Sequence, residues 1–124
     1  MLHIVDHSVS MANKLAAWNE RRLARDLYDI WFFLQMNITP DLKILSARLK
    51  TPRYSPLLKT RERFAGSNIE DFYEFLRSRV GLLSDQEIEQ QLSDYLLAED
   101  LAGLVPLLRA ALVKLRATDH QVFG

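Results

Sequence analysis

The sequence predicts an all-α domain, a bundle of about six helices behind a short extended N-terminal segment, and three observations carry that reading. Apolar residues recur at helical spacing through most of the 124 positions. Helix start and stop signals punctuate the chain at short intervals. Only Leu2–Val5 reads as extended, which is too short to build a sheet alone.

The elements follow in order. A first helix runs from near Ser8 to about Asn19, with Met11, Ala12, Leu15 and Trp18 as its apolar stripe. A second spans about Leu23 to Met36 and buries Leu23, Leu27, Ile30, Trp31 and Leu34. Thr39-Pro40 opens a third, with threonine as N-cap and proline at the first helical position, and it ends near Lys50. Ser55-Pro56 starts a short helix reaching about Arg63. Ser67-Asn-Ile-Glu70 reads as a capping box, followed by a helix burying Ile69, Phe72, Tyr73, Leu76 and Val80 and stopped by Gly81. A second capping box, Ser84-Asp-Gln-Glu87, starts a helix that buries Ile88, Leu92, Tyr95 and Leu96. Gly103 stops the chain, and Pro106 restarts it into a last helix through about Arg116.

Size and composition bound the function. A chain of 124 residues, 48% apolar, is one folded domain with a modest core. Without cysteine there is no disulfide framework and no thiolate metal site. No apolar run is long enough to span a membrane, and the N-terminus lacks the features of a secretory signal, so a cytoplasmic protein is expected. Formal net charge is zero, but Arg48–Arg63 holds six Lys/Arg against one acid, whereas Asn68–Asp100 holds nine acids against two arginines. The two regions either attract each other across the fold or leave the basic one for a polyanion.

Chemistry concentrates in one stretch, from Lys14 to Asp29. Lys14 and Arg21 lie seven residues apart and project from the same side of the first helix. Arg22, Arg25, Asp26 and Asp29 follow at i, i+3, i+4 and i+7 on the second. If the helices form a hairpin, the cations face the carboxylates. Cations of this kind neutralise polyphosphate, and a carboxylate binds a metal or takes a proton. A salt-bridge network between neighbouring helices fits the same spacing. The second half of that helix, Ile30-Trp31-Phe32-Phe33-Leu34, is apolar on every side, and Trp31–Phe33 is therefore expected to meet a second copy or another domain.

Lys-Leu-x-Ala at Lys14, arginine seven residues on, and then Arg25-Asp26-Leu27-Tyr28-Asp29 resemble the third motif of the AbiEii/AbiGii-type nucleotidyltransferase toxins. The likeness covers Leu2 to about Met36, and the later helices are compatible with the family's variable C-terminal region. The resemblance implies that Lys14 contacts a nucleoside triphosphate. It implies Asp26 or Asp29 as the motif's catalytic acid, supported by Arg21 and Arg25. It also implies a place in a toxin–antitoxin or phage-defence system, with a cognate antitoxin as partner. Such enzymes carry a core ahead of this motif, with a Gly-Ser turn for phosphates and an Asp-x-Asp strand for two metal ions. This chain has no Asp-x-Asp, and its Gly66-Ser67 follows the motif and is explained by helix capping. Two-metal transfer needs both ions clamped across the reacting phosphate. The chain thus reads as the rear helical half of such an enzyme, a natural truncation or a reading frame started at Met1. It is expected to be inactive alone and to need no cofactor alone, with Mg²⁺ and the triphosphate entering only with a core.

Of two further candidates, one stays open and one is set aside. Arg48, Arg53, Lys59, Arg61 and Arg63, with Tyr54 and Phe64 interleaved, form either an RNA-backbone contact or a solvated loop. His3 and His7 are four apart but straddle the extended segment, and no metal site is expected there.

Overall fold

In a computed structural model, residues 6–53, 63–94 and 96–115 are described. Among them are six α-helices and no strand: α1 His7–Arg21, α2 Ala24–Gln35, α3 Leu42–Lys50, α4 Ile69–Gly81, α5 Asp85–Leu92 and α6 Ala98–Val113. The expected extended segment Leu2–Val5, most of the expected short helix between Ser55 and Arg63, Tyr95, and the end of the last helix at Arg116 lie outside the described residues.

α1 is the central strut. It starts on Asp6, whose carboxylate accepts from the backbone N–H groups of Ser8 and Val9. Its stripe Met11, Ala12, Leu15 and Trp18 is buried as the spacing predicts. α1 packs against α2 on one side and α3 on the other. The backbone N–H of Asp41 donates to the Ser8 carbonyl and ties the starts of α1 and α3 together. Trp18 lies edge-on to Phe72 and Phe75 of α4, while α2 is covered by α5 and α6. The core runs from Met11 through Leu27, Ile30, Leu45, Phe72 and Ile88 to Leu108 and Leu112.

Two helix starts differ from the sequence reading. α3 is capped by Asp41, not Thr39: the Asp41 carboxylate accepts from the N–H of Ile44, and Pro40 is buried before the helix begins. α4 is capped by Asn68, not Ser67, because the Asn68 side chain reaches the N–H of Asp71. Asparagine and aspartate cap at least as well as serine and threonine, so the nearer good cap wins in each case. The Ser84/Glu87 capping box forms as expected, with both reciprocal bonds present.

The larger correction concerns α6. Gly103 does not stop the chain and Pro106 does not restart it, since one helix of 16 residues runs through both. A mid-helix proline costs about 3 kcal/mol and glycine about 1. Against that, Leu101, Leu104, Val105, Leu108 and Leu112 are all buried against the bundle, at roughly 1.5–3 kcal/mol per fully buried side chain. Burial therefore outweighs local preference. Gly103 and Pro106 both sit on the outer side of the helix. Arg109 pins the same helix to the α4–α5 turn: its guanidinium donates to Asp85 Oδ1 at 2.8 Å and to the carbonyls of Val80 and Leu83 at 3.2 and 2.6 Å.

α2 is less bare than its sequence predicts. Ile30 is buried and Trp31, Phe33 and Leu34 are half-covered, Phe33 by His7 with ring centroids 6.1 Å apart. Phe32 is the exposed member of the run.

Candidate functional site

The hairpin between α1 and α2 turns on two residues. Arg22 adopts the left-handed conformation, φ 60°, and its N–H closes α1 on the Trp18 carbonyl at 2.7 Å. Leu23 is extended and begins α2 without a side-chain cap. A left-handed non-glycine residue is uncommon, and here the Arg22 guanidinium stacks over Trp18 at 4.5 Å and Phe75 at 5.1 Å, which offsets the backbone cost. Arg22 thus leaves the polar stripe on which spacing placed it and belongs to the turn.

The fold-back brings Lys14 and Arg21 of α1 against Asp26 and Asp29 of α2. Arg21 Nη2 donates to Asp26 Oδ1 at 2.7 Å. Lys14 Nζ donates to Asp29 Oδ2 at 2.8 Å and stands 3.5 Å from Asp26 Oδ1, a contact that is mainly Coulombic. Asp26 lies in the first turn of α2, where the positive end of the helix dipole favours a carboxylate.

The two carboxylates differ in what can reach them. The Asp26 side chain is 0% exposed, and among the described residues its Oδ2 has no hydrogen-bond partner. The Asp29 side chain is 40% exposed. Lys14 and Arg21 are each about a third exposed, 33% and 34%, and Arg25 is exposed on the first turn of α2. A solute therefore reaches Lys14, Arg21, Arg25 and Asp29, but not Asp26. In the bonded cluster two cations, Lys14 and Arg21, face two carboxylates, and no ion pair among the described residues includes Arg25.

That donor set does not suit a divalent metal. Its carboxylates already face two cations, and a Mg²⁺ ion would sit beside both. Among the described residues no group of three or more His, Cys, Asp or Glu side chains could hold a metal.

Two buried polar side chains of α1 carry work that spacing did not disclose. Asn19 grips Phe64, donating to its carbonyl and accepting from its N–H, both at 2.8 Å. Glu20 accepts from Arg48 Nη2 at 2.8 Å and from the backbone N–H of Arg53 at 2.9 Å. The only hint in the sequence is a pair of polar residues where the apolar stripe of α1 should continue. Arg48 also donates to the Asn13 carbonyl and side chain, so its guanidinium is held against α1. Arg63 is buried, the Arg53 side chain is exposed, and Lys59 and Arg61 lie outside the described residues. Among the described residues no helix is long and apolar enough to cross a membrane.

A family model described as "Nucleotidyl transferase AbiEii toxin, Type IV TA system" matches residues 4–114. No curated protein and no solved structure matches the chain.

Proposed function

The chain belongs to the AbiEii nucleotidyltransferase toxin family of type IV toxin–antitoxin systems, and from that premise we propose that it is the nucleotide-facing helical half of such a toxin. Family membership implies a nucleotidyltransferase-like role and a cognate antitoxin as partner. In this reading Lys14, Arg21 and Arg25 receive the phosphates of a nucleoside triphosphate. Asp26 acts as a positioning residue that fixes the two α1 cations. Asp29 is the solvent-facing carboxylate, and it releases Lys14 when phosphate arrives. The observation that carries the reading is the asymmetry between a sealed Asp26 and an open Asp29, both gripping Lys14. A network built only for stability has no need to leave Lys14 accessible between them.

Metal chemistry belongs, on this proposal, to a core carrying the Gly-Ser turn and the Asp-x-Asp strand, neither of which the helical hairpin provides. The chain alone is then inactive, and it works in the cytoplasm, in toxin-mediated arrest or phage defence. The test supplies such a core in trans with Mg²⁺, labelled nucleoside triphosphates and RNA. Label should enter RNA only when both parts are present, and Lys14→Ala should reduce transfer by at least about tenfold, the scale of a lost charge-assisted phosphate contact. Transfer by the chain alone overturns the proposed division of labour. Transfer unaffected by Lys14→Ala overturns the role of the hairpin.

A second reading, a free-standing helical interaction protein, is favoured by the apolar hollows between α2 and α6. An RNA-binding module on residues 48–63 has less support, since Arg48 is held by Glu20 and Arg63 is buried. Its signature is RNA affinity that falls with salt and with Arg53→Ala.

A further inference from the structure

The outward face of α6 has an unusual composition. Asp100, Gly103, Leu107, Ala110 and Lys114 are all exposed. Their spacing alternates three and four residues, which keeps them on one narrow stripe of the helix. Leu107 stands at its middle and is 57% exposed. Asp100 lies seven residues before it and Lys114 seven after, with a small residue on each side between. Outward from Leu107 the stripe is near-symmetric: a small residue stands four positions before it and three after, and the ends seven positions away are acidic on one side and basic on the other.

The surface beside the stripe is shaped to match. Leu107 forms a ridge between two hollows that separate α6 from α2. One, of about 470 Å³, is floored by Tyr28, Trp31 and Leu104 and bordered by Glu99 and Asp100. The other, of about 520 Å³, runs from Leu34 and Ile38 to Ala110 and Lys114. Gly103 borders open space, where a Cβ would meet nothing within 4 Å. Among the described residues neither Asp100 nor Lys114 has an ion-pair partner.

We propose that α6 is a homodimerisation surface, on which a second copy of this chain packs antiparallel about a two-fold axis beside Leu107. An isologous contact requires a patch complementary to itself. Antiparallel α6 helices supply that: each Leu107 drops into a hollow of the other copy, and Gly103 and Ala110 let the backbones approach. Both ends then form Asp100–Lys114 pairs at once, and the helix dipoles oppose each other favourably. A parallel pairing would set like charges against like at both ends. An acidic or a basic partner helix would satisfy only one end of the stripe. Of the self-association expected at Trp31–Phe33, the contact shares Trp31, as the floor of a hollow, whereas Phe33 rests on His7.

A helix pair of this length falls among small interfaces, below about 1,200 Å², so dissociation in the micromolar range is expected. Sedimentation equilibrium of the whole chain at about 1 to 200 µM reads it directly, with circular dichroism confirming that each variant is folded. Leu107→Glu should give monomer throughout this range. Asp100→Lys and Lys114→Asp each put like charges at both ends and should weaken association by about fivefold or more. The double variant restores both pairs and should return to within about twofold of the parent. A parent that stays monomeric at 200 µM overturns the proposal, even if it binds another protein. So does a dimer that survives Leu107→Glu, or a double variant no tighter than the single ones. None of these outcomes depends on nucleotide transfer.

Discussion

Replacing Asp26 with asparagine tests the hairpin most directly. The exchange keeps shape and removes one charge. Asp26 is sealed from solvent and accepts from Arg21 at 2.7 Å, with Lys14 at 3.5 Å. Breaking a fully buried pair costs about 3–5 kcal/mol because an uncompensated charge is left behind. Here the charges left behind are a third exposed and can turn toward water or Asp29. Moreover, Asp26 Oδ2 has no partner in the parent, so part of its desolvation cost disappears with the charge. The expected loss is therefore about 1.5–3 kcal/mol, or a fall in Tm of about 5–10 °C for a domain of this size. Asp29→Asn removes a contact that is 40% exposed, and should cost under about 1 kcal/mol. Urea unfolding followed by tryptophan fluorescence and by circular dichroism gives both numbers. A double-mutant cycle of Asp26→Asn with Arg21→Gln should return a coupling of about 1 kcal/mol or more. Two results would refute the reasoning: Asp26→Asn within about 0.5 kcal/mol of the parent, or Asp29→Asn the more damaging of the two.

Three further outcomes are expected. Asn19→Ala removes both hydrogen bonds to the Phe64 backbone and should cost about 2–4 kcal/mol, with hydrogen exchange rising at Phe64 before the global transition. Arg109→Ala frees α6 from Asp85 and from the Val80 and Leu83 carbonyls; a loss of about 1–3 kcal/mol should appear in thermal melts. Glu87 has its pKa held below the ordinary 4.5, first by the Ser84 backbone N–H and then by the Ser84 hydroxyl. A carboxylate lowered on folding adds stability above its unfolded value, and that contribution disappears as pH falls through the folded value. Melts at pH 6, 4.5 and 3 should therefore show Glu87→Gln losing less stability on acidification than the parent, and an equal loss would remove the assignment.

What can be read from residues a few positions apart proved legible. Lys14 and Arg21 two turns apart, then Asp26 and Asp29 one turn apart, are local relations that any helix enforces, and a two-residue turn leaves the helices little choice but to face each other. The Ser84/Glu87 box and the stripe of α1 are legible for the same reason. The caps expected at Thr39 and Ser67 fall instead at Asp41 and Asn68 because residues one or two positions apart compete for one role, and side-chain reach decides between them.

Sequence by itself thus determined the helical class, the family motif and the meeting of cations with carboxylates. Tertiary structure alone decided that Asp26 is sealed while Asp29 stays open, that Arg48 turns inward to Glu20, and that α6 continues through Gly103 and Pro106. Each of these depends on which surfaces bury one another across the bundle. The free energy of burying five aliphatic side chains on α6 exceeds what one proline and one glycine can withhold. Local chemical signals set preferences of a kcal/mol or so; packing between distant elements settles which of them prevail.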